Sequence, residues 1–240
     1  PKAMIKDFAS KVDELFIVEE LDPFIETHVK AMGVVCKGKE IVPAMGELNP
    51  FILQKAFSQD TGIVFAPEDL PARPPNMCPG CPHRGLFFCL HKLKVFVSGD
   101  IGCYTLGFLP PLSAMDSCVC MGASIGVAHG IDKALGEDAK GKVVAVLGDS
   151  TFFHSGLTGL ANIVYNKGCS TVIILDNRIT GMTGHQHNPS SGQTLLGEPT
   201  HSIDITNLGH ALGVKHVVEV NPHDLAKTEQ ALKDAMEFDG

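Results

Sequence analysis

Two oxygen-bearing side chains, Asp149 and Asn177, follow the two apolar runs in the middle of the sequence. Carboxylate and amide oxygens are hard ligands, and Mg²⁺ is usually bound by one or two carboxylates together with substrate phosphates. The Ser150 hydroxyl and the amino terminus of a helix behind it would favour phosphate oxygens. Gly148 would let the backbone approach a ligand closely. The pattern therefore predicts a site for Mg²⁺ and a ligand that carries phosphate.

A strand–helix–strand unit would position this pair. Residues 143–147 and 171–175 are apolar runs typical of buried parallel strands. A right-handed crossover makes two such strands parallel, which places Asp149 and Asn177 at carboxyl ends, where open α/β sheets bind ligands. Without Asn177, Gly-Asp-Ser would indicate only an ordinary turn. Four apolar residues at helical spacing predict the buried face of the helix between the strands: Phe153, Leu157, Leu160 and Val164.

The segment from Arg178 to Pro199 is the second part of the predicted site. It is rich in Gly, His, Ser and Thr, and long segments without regular structure are usually functional or mobile. We expect His185 and His187 to contact substrate or solvent, because two histidines without a third partner rarely bind a metal. The residues predicted to meet phosphate oxygens are Thr180, Gly181, Thr183 and Gly184.

A second chemical motif is the turn Cys78-Pro79-Gly80-Cys81. Two cysteines separated by two residues bind zinc or an iron–sulfur cluster, and redox-active dithiols share the same spacing. One pair supplies only half of a tetrahedral site, so two inert thiols in a turn are a third interpretation. The other candidate ligands are His83, Cys103, Cys118, Cys120 and Cys169.

Two further segments are predicted to contribute to the ligand-binding edge. Gly99–Cys103 follows a predicted strand at residues 94–98. In the helix predicted after Met121, glycine recurs at positions 122, 126 and 130. Each glycine inside a helix costs about 1 kcal/mol relative to alanine, so close approach of another helix, of another subunit or of a cofactor phosphate should offset this cost.

Composition narrows the classes of protein. The 240 residues are 44% hydrophobic and 19% charged, which is typical of a packed α/β core. A net charge of −8 without a basic patch argues against nucleic acid as a partner. Neither a membrane helix nor a secretory signal is indicated. Eight cysteines in a chain of this length are typical of intracellular thiols, so we expect a cytoplasmic protein.

The positions of the prolines, at helix starts and in a linker, predict the domain organisation. Residues 1–70 read as part of a small α/β unit, with helix starts at Asp22-Pro23 and Asn49-Pro50 and strands at residues 14–20 and 34–37. Residues 66–76 contain four prolines and predict a linker. The second unit spans residues 71–240. Its end is predicted as a helix over 204–212, a strand over 214–220 and a helix from Asn221 to about Phe238. The chain starts without Met, and we expect a piece of a longer polypeptide.

Five segments together resemble the 2-oxoacid:ferredoxin oxidoreductases, especially the large (alpha) subunit of the indolepyruvate type. The resemblance covers about residues 75–240 and implies an α/β fold, an open parallel sheet with helices on both faces. Residues 1–70 resemble the end of the transketolase-C-like domain that precedes the diphosphate-binding domain in the same subunit. The segments are CPGCPHR, SGDIGCYTLG, CMGASIGVAHG, LGDSTFFHSGLTGLANI and LDNRITGMTG.

The segment Gly-Asp-Ser with its distant Asn177 resembles the thiamine-diphosphate motif. The resemblance implies that Asp149, Asn177 and the carbonyl of Ile179 bind the Mg²⁺ that anchors the diphosphate. The sequence departs from the pattern at Ser150, where many members have Gly, and at Asp176, where many have a first Asn. The residues implied to bind the cofactor are Gly102, Cys103, Tyr104, Met121, Gly122, Ser124, Gly148, Asp149, Ser150, Thr151, Asn177, Ile179, Thr180, Gly181 and Thr183.

The reaction implied by the resemblance is oxidative decarboxylation of an aryl pyruvate such as indolepyruvate. The product is an acyl-CoA formed with coenzyme A, and iron–sulfur clusters pass electrons to ferredoxin. Cys78, Cys81 and Cys103 match three of the four ligands that related enzymes use for a [4Fe-4S] cluster. A smaller beta subunit is the implied partner, in an oligomer. The glutamate that activates the cofactor is expected on a domain outside these residues, so the chain should be inactive alone.

Two other functional classes fit parts of the pattern. A non-oxidative thiamine-diphosphate decarboxylase subunit would keep Asp149 and Asn177 but would not need the three cysteines. A non-catalytic module could instead bind structural zinc at the CPGC turn, although such sites normally have four protein ligands.

Overall fold

The computed structural model describes residues 1–58, 71 and 73–238. The chain divides into two compact units, Pro1–Ala72 and Arg73–Gly240. Most of the predicted linker, residues 66–70 and 72, lies outside the described residues. Within the described residues, every helix is too short or too polar to cross a bilayer.

The first unit contains three short helices, α1 (Lys2–Ala9), α2 (Phe24–Ala31) and α3 (Pro50–Phe57). The predicted start of α3 is confirmed, because the Asn49 side chain accepts a hydrogen bond from the Ile52 amide at 3.0 Å. The two strands predicted in this unit are wrong. They are reduced to one parallel bridge between Phe16 and Lys37.

The prediction that Asp22 caps α2 is also wrong. The carboxylate of Glu19 accepts hydrogen bonds from the amides of Ile25 and Glu26, at 2.8 and 2.9 Å. A carboxylate from the segment before the helix therefore satisfies the free amides at the start of α2.

The second unit is built on four parallel strands, β1 (Phe96–Gly99), β2 (Ser117–Cys118), β3 (Val143–Gly148) and β4 (Thr171–Leu175). Their order in the sheet is β2-β1-β3-β4. The last paired residues of β3 and β4 are Gly148 and Leu175. The predicted strand–helix–strand unit is therefore confirmed, and its two strands end side by side.

Helices cover both faces of this sheet, as predicted. Val144 and Val146 pack in one cluster with α4 (Pro82–Leu93) and the C-terminal helix. Val143, Ala145 and Leu147 point to the opposite face and pack with α5 (Ala123–Leu135). Because successive strand residues face opposite sides, a strand buried on both faces must be apolar throughout, as β3 is.

The helix after β3 has three parts, α6 (Asp149–Thr151), a π-helical turn (Phe152–Gly156) and α7 (Leu157–Tyr165). The predicted buried face is partly wrong. Phe152, Leu160 and Ile163 are buried, whereas Phe153, Leu157 and Val164 are only half-buried. A π turn inserts one extra residue, which shifts the face that a regular 3.6-residue period would predict.

In the last part of the chain the two predicted helices are confirmed and the predicted strand is wrong. Two helices form, α8 (Ile205–Ala211) and α9 (Leu225–Glu237), and the Asp224 side chain caps α9 by accepting from the Lys227 amide at 3.1 Å. The predicted strand at 214–220 is wrong, because these residues form no ladder with β4. A cavity of about 1200 Å³ is lined by β4, by this segment and by α9.

Candidate functional site

Asp149 lies at the carboxyl end of β3 with only 3% of its surface exposed. Its Oδ1 accepts a hydrogen bond from the Ser150 amide at 2.7 Å. Its Oδ2 accepts one from Asn188 Nδ2 at 3.1 Å and lies 3.3 Å from Ser190 Oγ. The segment after β4 thus folds back onto the strand end, and each oxygen of this buried carboxylate has a protein donor.

Asp176 is the neighbour of Asp149 on the adjacent strand. Its Oδ1 lies 3.4 Å from Ser190 Oγ, the same hydroxyl that approaches Asp149. Asp176 is exposed as a residue, but partial burial of its carboxylate raises its pKa, and the nearby Asp149 charge raises it further, although the Arg178 amide opposes both effects. Two carboxylates at one sheet edge favour a cation between or beside them. The sequence motif did not include Asp176 among the ligands.

Asn177 and Ile179 form a tight turn immediately beyond Asp176. Asn177 Oδ1 accepts a hydrogen bond from the Ile179 amide at 3.2 Å, and Arg178 has a left-handed backbone with φ of 58°. Asn177 is exposed, and Ile179 is half-buried. The predicted amide ligand thus lies beyond the carboxyl end of β4, next to the end of β3 where Asp149 lies.

The residues predicted to meet phosphate form a closed turn. Thr180 pairs with Gln186 in an antiparallel bridge, and the Thr180 amide donates to the Gln186 carbonyl at 3.0 Å. The Thr183 hydroxyl lies 2.5 Å from Gln186 Oε1, and the Gly184 amide donates to the Gly181 carbonyl at 3.3 Å. These donors are used inside the turn, so their contact with phosphate remains a prediction. His185 and His187 are both exposed.

Asp100 is a buried carboxylate that binds several backbone amides, a role that the sequence analysis did not predict. It is 0% exposed, and its oxygens accept from the amides of Ile101 at 2.8 Å, Gly122 at 2.9 Å and Ser124 at 3.1 Å. The signal was present, since Gly99-Asp100 repeats Gly148-Asp149 at the end of the neighbouring strand.

The amides at the start of α5 therefore already bind a carboxylate of the protein itself, that of Asp100. The Gly122 and Ser124 amides, where a cofactor phosphate was one interpretation, donate to Asp100, and Ser124 is fully buried. Gly122 is required, because its φ is 86° and a β-carbon would lie 2.3 Å from Ser155 Oγ. Met121 is exposed beside it, and its carbonyl lies 3.3 Å from the same hydroxyl.

Close packing within this chain explains only one of the three helical glycines. Among the described residues, a β-carbon built at Gly126 or Gly130 meets no atom within 4 Å outside the adjacent backbone of its own helix, so packing of these two glycines against another subunit stays a prediction. Both positions are exposed on α5.

Tyr104 joins the loops that follow β1 and β3. Its hydroxyl donates to the Ile101 carbonyl at 2.9 Å, and β-carbons at Gly102 and Gly148 would lie only 2.4 and 2.8 Å from its ring. Burial raises the pKa of Tyr104 to about 12, so the phenol is neutral at physiological pH. Thr151, another predicted cofactor residue, is buried close to this hydroxyl, and its side chain partly opposes the rise in pKa.

The three predicted cluster cysteines lie near one another without forming a closed site. Burial raises the pKa of Cys103, and the neighbouring Cys81 and Cys78 raise it further. Cys78 is exposed, and the other two are half-buried. Among the residues that the structure describes, no three His, Cys, Asp or Glu side chains are arranged to hold a metal ion.

The remaining candidate ligands have other environments. His83 is buried, with its ring 6.0 Å from that of Tyr104, and burial lowers the pKa of His83. Cys169 Sγ donates to Asp132 Oδ1 at 2.9 Å, and burial together with this contact raises the pKa of Cys169 to about 11. Cys118 and Cys120 are exposed.

The sequence is similar to that of known enzymes that bind thiamine pyrophosphate. Residues 100–240 match the family model described as thiamine pyrophosphate enzyme, C-terminal TPP binding domain. Indolepyruvate oxidoreductase subunit IorA of Pyrococcus horikoshii is 38% identical over the whole chain, which covers 42% of that protein. The same subunit of Archaeoglobus fulgidus is 37% identical over the whole chain, which covers 41% of it. The chain thus spans less than half the length of these curated relatives.

A solved structure shares the fold. The 2-oxoglutarate:ferredoxin oxidoreductase from Magnetococcus marinus, with 2-oxoglutarate, coenzyme A and succinyl-CoA bound, superposes with a TM-score of 0.59 at 21% identity. The match covers 71% of this chain and 62% of that chain.

Proposed function

The chain belongs to the thiamine pyrophosphate enzymes, and we propose that it forms the diphosphate- and Mg²⁺-binding part of a 2-oxoacid oxidoreductase. The observation that carries this proposal is the buried carboxylate of Asp149, which lies beside Asp176 at the carboxyl end of two adjacent parallel strands. On this proposal, residues 71–240 are the cofactor-binding domain and residues 1–70 are the end of a transketolase-C-like domain.

The donor set of this chain fits Mg²⁺. A carboxylate has about four lone-pair sites on two oxygens. Asp149 uses one oxygen for the Ser150 amide and the other for Asn188, so each oxygen keeps a further lone pair. The proposed ligands are Asp149, Asn177 and the Ile179 carbonyl, which are hard oxygens of the kind that Mg²⁺ prefers.

When bound, thiamine diphosphate supplies the carbanion stabilisation that decarboxylation of a 2-oxoacid requires. The residues of this chain would bind the diphosphate end through the cation and fix its position. Tyr104 would contribute an uncharged, buried wall beside Gly148, where a neutral phenol neither repels phosphate nor competes for the cation. Thr180 and Thr183 would contact the phosphate oxygens.

The substrate and partners are proposed from similarity to the indolepyruvate oxidoreductase subunits. The substrate would be an aryl pyruvate such as indolepyruvate, and the acyl product would be transferred to coenzyme A. Electrons would reach ferredoxin through iron–sulfur clusters, one of them bound by Cys78, Cys81, Cys103 and a fourth ligand from outside these residues. A smaller beta subunit would complete a cytoplasmic oligomer.

The test is an assay of the intact protein together with its partner subunit. Reduction of ferredoxin that requires an aryl pyruvate, coenzyme A, thiamine diphosphate and Mg²⁺ together is the expected result. Release of an aldehyde without reduction of any acceptor would contradict the proposal, because it would identify a non-oxidative decarboxylase.

A further inference from the structure

We infer that Asn188 is a positioning residue for the cation site, an inference that rests on the proposed function. The Asn188 side chain orients the carboxylate of Asp149 toward the cation and connects it to the segment that follows Asn177. Neither the Gly-Asp-Ser motif nor its Asn177 partner includes this residue.

Every polar atom of the Asn188 side chain is in use. The residue is 8% exposed, and its Nδ2 donates to Asp149 Oδ2 at 3.1 Å. Its Oδ1 accepts from the Ser190 amide at 2.9 Å and from the Ser190 hydroxyl at 2.7 Å. The bond from the Ser190 amide closes a local turn of the kind that asparagine makes with the residue two positions later. The contact with Asp149 is separate, because the local turn does not require it.

The two donors fix the rotation of the Asp149 carboxylate. Ser150 holds one oxygen from the same helix start, and Asn188 holds the other from a different part of the chain. Carboxylates that bind metal ions are themselves hydrogen-bonded by outer residues, and loss of such a residue typically weakens metal binding about 10–100-fold. Asn188 is the group in that outer position here.

Ser190 adds a second reason for a cation at this place. Its hydroxyl lies 2.7 Å from Asn188 Oδ1, 3.3 Å from Asp149 Oδ2 and 3.4 Å from Asp176 Oδ1, and its one proton can serve only one of these acceptors at a time. This hydroxyl therefore stabilises at most one of the two carboxylates, whereas a nearby cation would stabilise both.

The Asn188 turn is anchored on its far side. The Pro189 carbonyl accepts from the Ile203 amide at 2.9 Å, and the Ser190 carbonyl accepts from the Ser202 hydroxyl at 2.7 Å. Asn188 is therefore held by the chain that leads into α8, so it can restrain Asp149 instead of moving with it.

The test is Asn188→Ser in the intact protein. Serine can close the same local turn but is too short to reach Asp149. The matched control is Ser191→Ala, which removes a 2.8 Å hydrogen bond to the Asn188 carbonyl in the same turn and leaves the Asp149 contact in place. Asn188→Thr is the second variant if the serine variant does not fold.

The readout is binding of Mn²⁺, used in place of Mg²⁺, in the presence of thiamine diphosphate, followed by electron paramagnetic resonance. We expect Asn188→Ser to weaken Mn²⁺ binding about 10–100-fold, with Ser191→Ala like the unaltered protein. Excess Mg²⁺ should restore thiamine diphosphate binding to Asn188→Ser, because Asp149 is still present.

Equal Mn²⁺ affinity in Asn188→Ser and the unaltered protein would overturn the inference and leave the proposed function standing. Equal weakening in Asn188→Ser and Ser191→Ala would also overturn it, because the turn itself would then matter. Absence of any thiamine diphosphate binding by the unaltered protein would overturn both.

Discussion

The carboxylate of Asp100 accepts a hydrogen bond from the Gly122 amide at 2.9 Å and so connects the end of β1 to the start of α5. The bond replaces the usual side-chain cap, which Gly122 cannot supply. The same carboxylate also holds the amides of Ile101 and Ser124. One buried side chain therefore fixes the two segments that flank the proposed cofactor site.

Replacement of Asp100 by alanine should destabilise the protein strongly. It would leave three amides without their acceptor, and each unsatisfied buried group costs about 1–3 kcal/mol. We expect a loss of at least about 3 kcal/mol in the free energy of unfolding, measured by denaturant titration. Asp138→Ala, at an exposed position, is the control and should have little effect. A loss no larger than that of the control would mean that other groups hold the start of α5.

Tyr104 predicts a pH dependence at the alkaline end. The pKa of Tyr104 is raised from 10.0 to about 12 by burial, so the folded state keeps its proton where the unfolded chain loses it. The stability from this group is fully present below pH 10 and is lost as pH rises through about 12.

Tyr104→Phe should therefore flatten the decline of the free energy of unfolding above pH 10. Removal of the hydroxyl should also cost about 1 kcal/mol at neutral pH, because it leaves the Ile101 carbonyl without this donor. Tyr165→Phe, at an exposed position, is the control. An unchanged alkaline decline in Tyr104→Phe would show that Tyr104 is not responsible for it.

Glu229 predicts a pH dependence at the acid end. Its carboxylate lies 2.7 Å from Lys233 Nζ and 2.6 Å from Lys92 Nζ, and these contacts lower its pKa from 4.5 to about 2. A lowered pKa contributes stability above the unfolded value of 4.5, and that stability is lost as pH falls through about 2.

Glu229→Gln should be less stable than the unaltered protein at neutral pH, and the difference should shrink between pH 4.5 and 2. Thermal unfolding across this range measures it, with Glu237→Gln on the exposed side of the same helix as the control. A difference that is the same at every pH would point to packing instead of charge.

Replacement by alanine should change the stability of the protein in opposite directions at two glycines in helical segments. A β-carbon at Gly156 would lie 2.7 Å from Leu147 Cδ1 in the core, so Gly156→Ala should cost about 1–3 kcal/mol. Gly126 is exposed on α5 with open space around it, and Gly126→Ala should stabilise by about 0.5–1 kcal/mol. Denaturant titration of both variants measures the two signs. Destabilisation by Gly126→Ala would show that this surface is covered in the intact protein.

The central unit could be predicted from sequence because its signals are local. The apolar runs of β3 and β4 and the polar residues at their ends required no knowledge of distant contacts. The π turn after Asp149 could not be predicted, since the spacing of the apolar residues fits an unbroken helix equally well.

The contact between Asn188 and Asp149 could not be predicted, because the two residues are 39 positions apart in the chain. Asn188 looks like an ordinary loop residue until the segment after β4 folds back onto Asp149. The strand predicted at 214–220 was wrong because composition alone suggested it. The segment is rich in valine, which favours strands, but it does not pair with β4.

Calorimetric titration of the protein with thiamine diphosphate shows whether Asp149 anchors this cofactor through Mg²⁺. We expect binding that requires Mg²⁺ and that is lost in Asp149→Ala while the thermal unfolding of the cofactor-free protein shows a retained fold. Binding of equal strength without Mg²⁺, or unchanged binding in Asp149→Ala, would contradict this expectation.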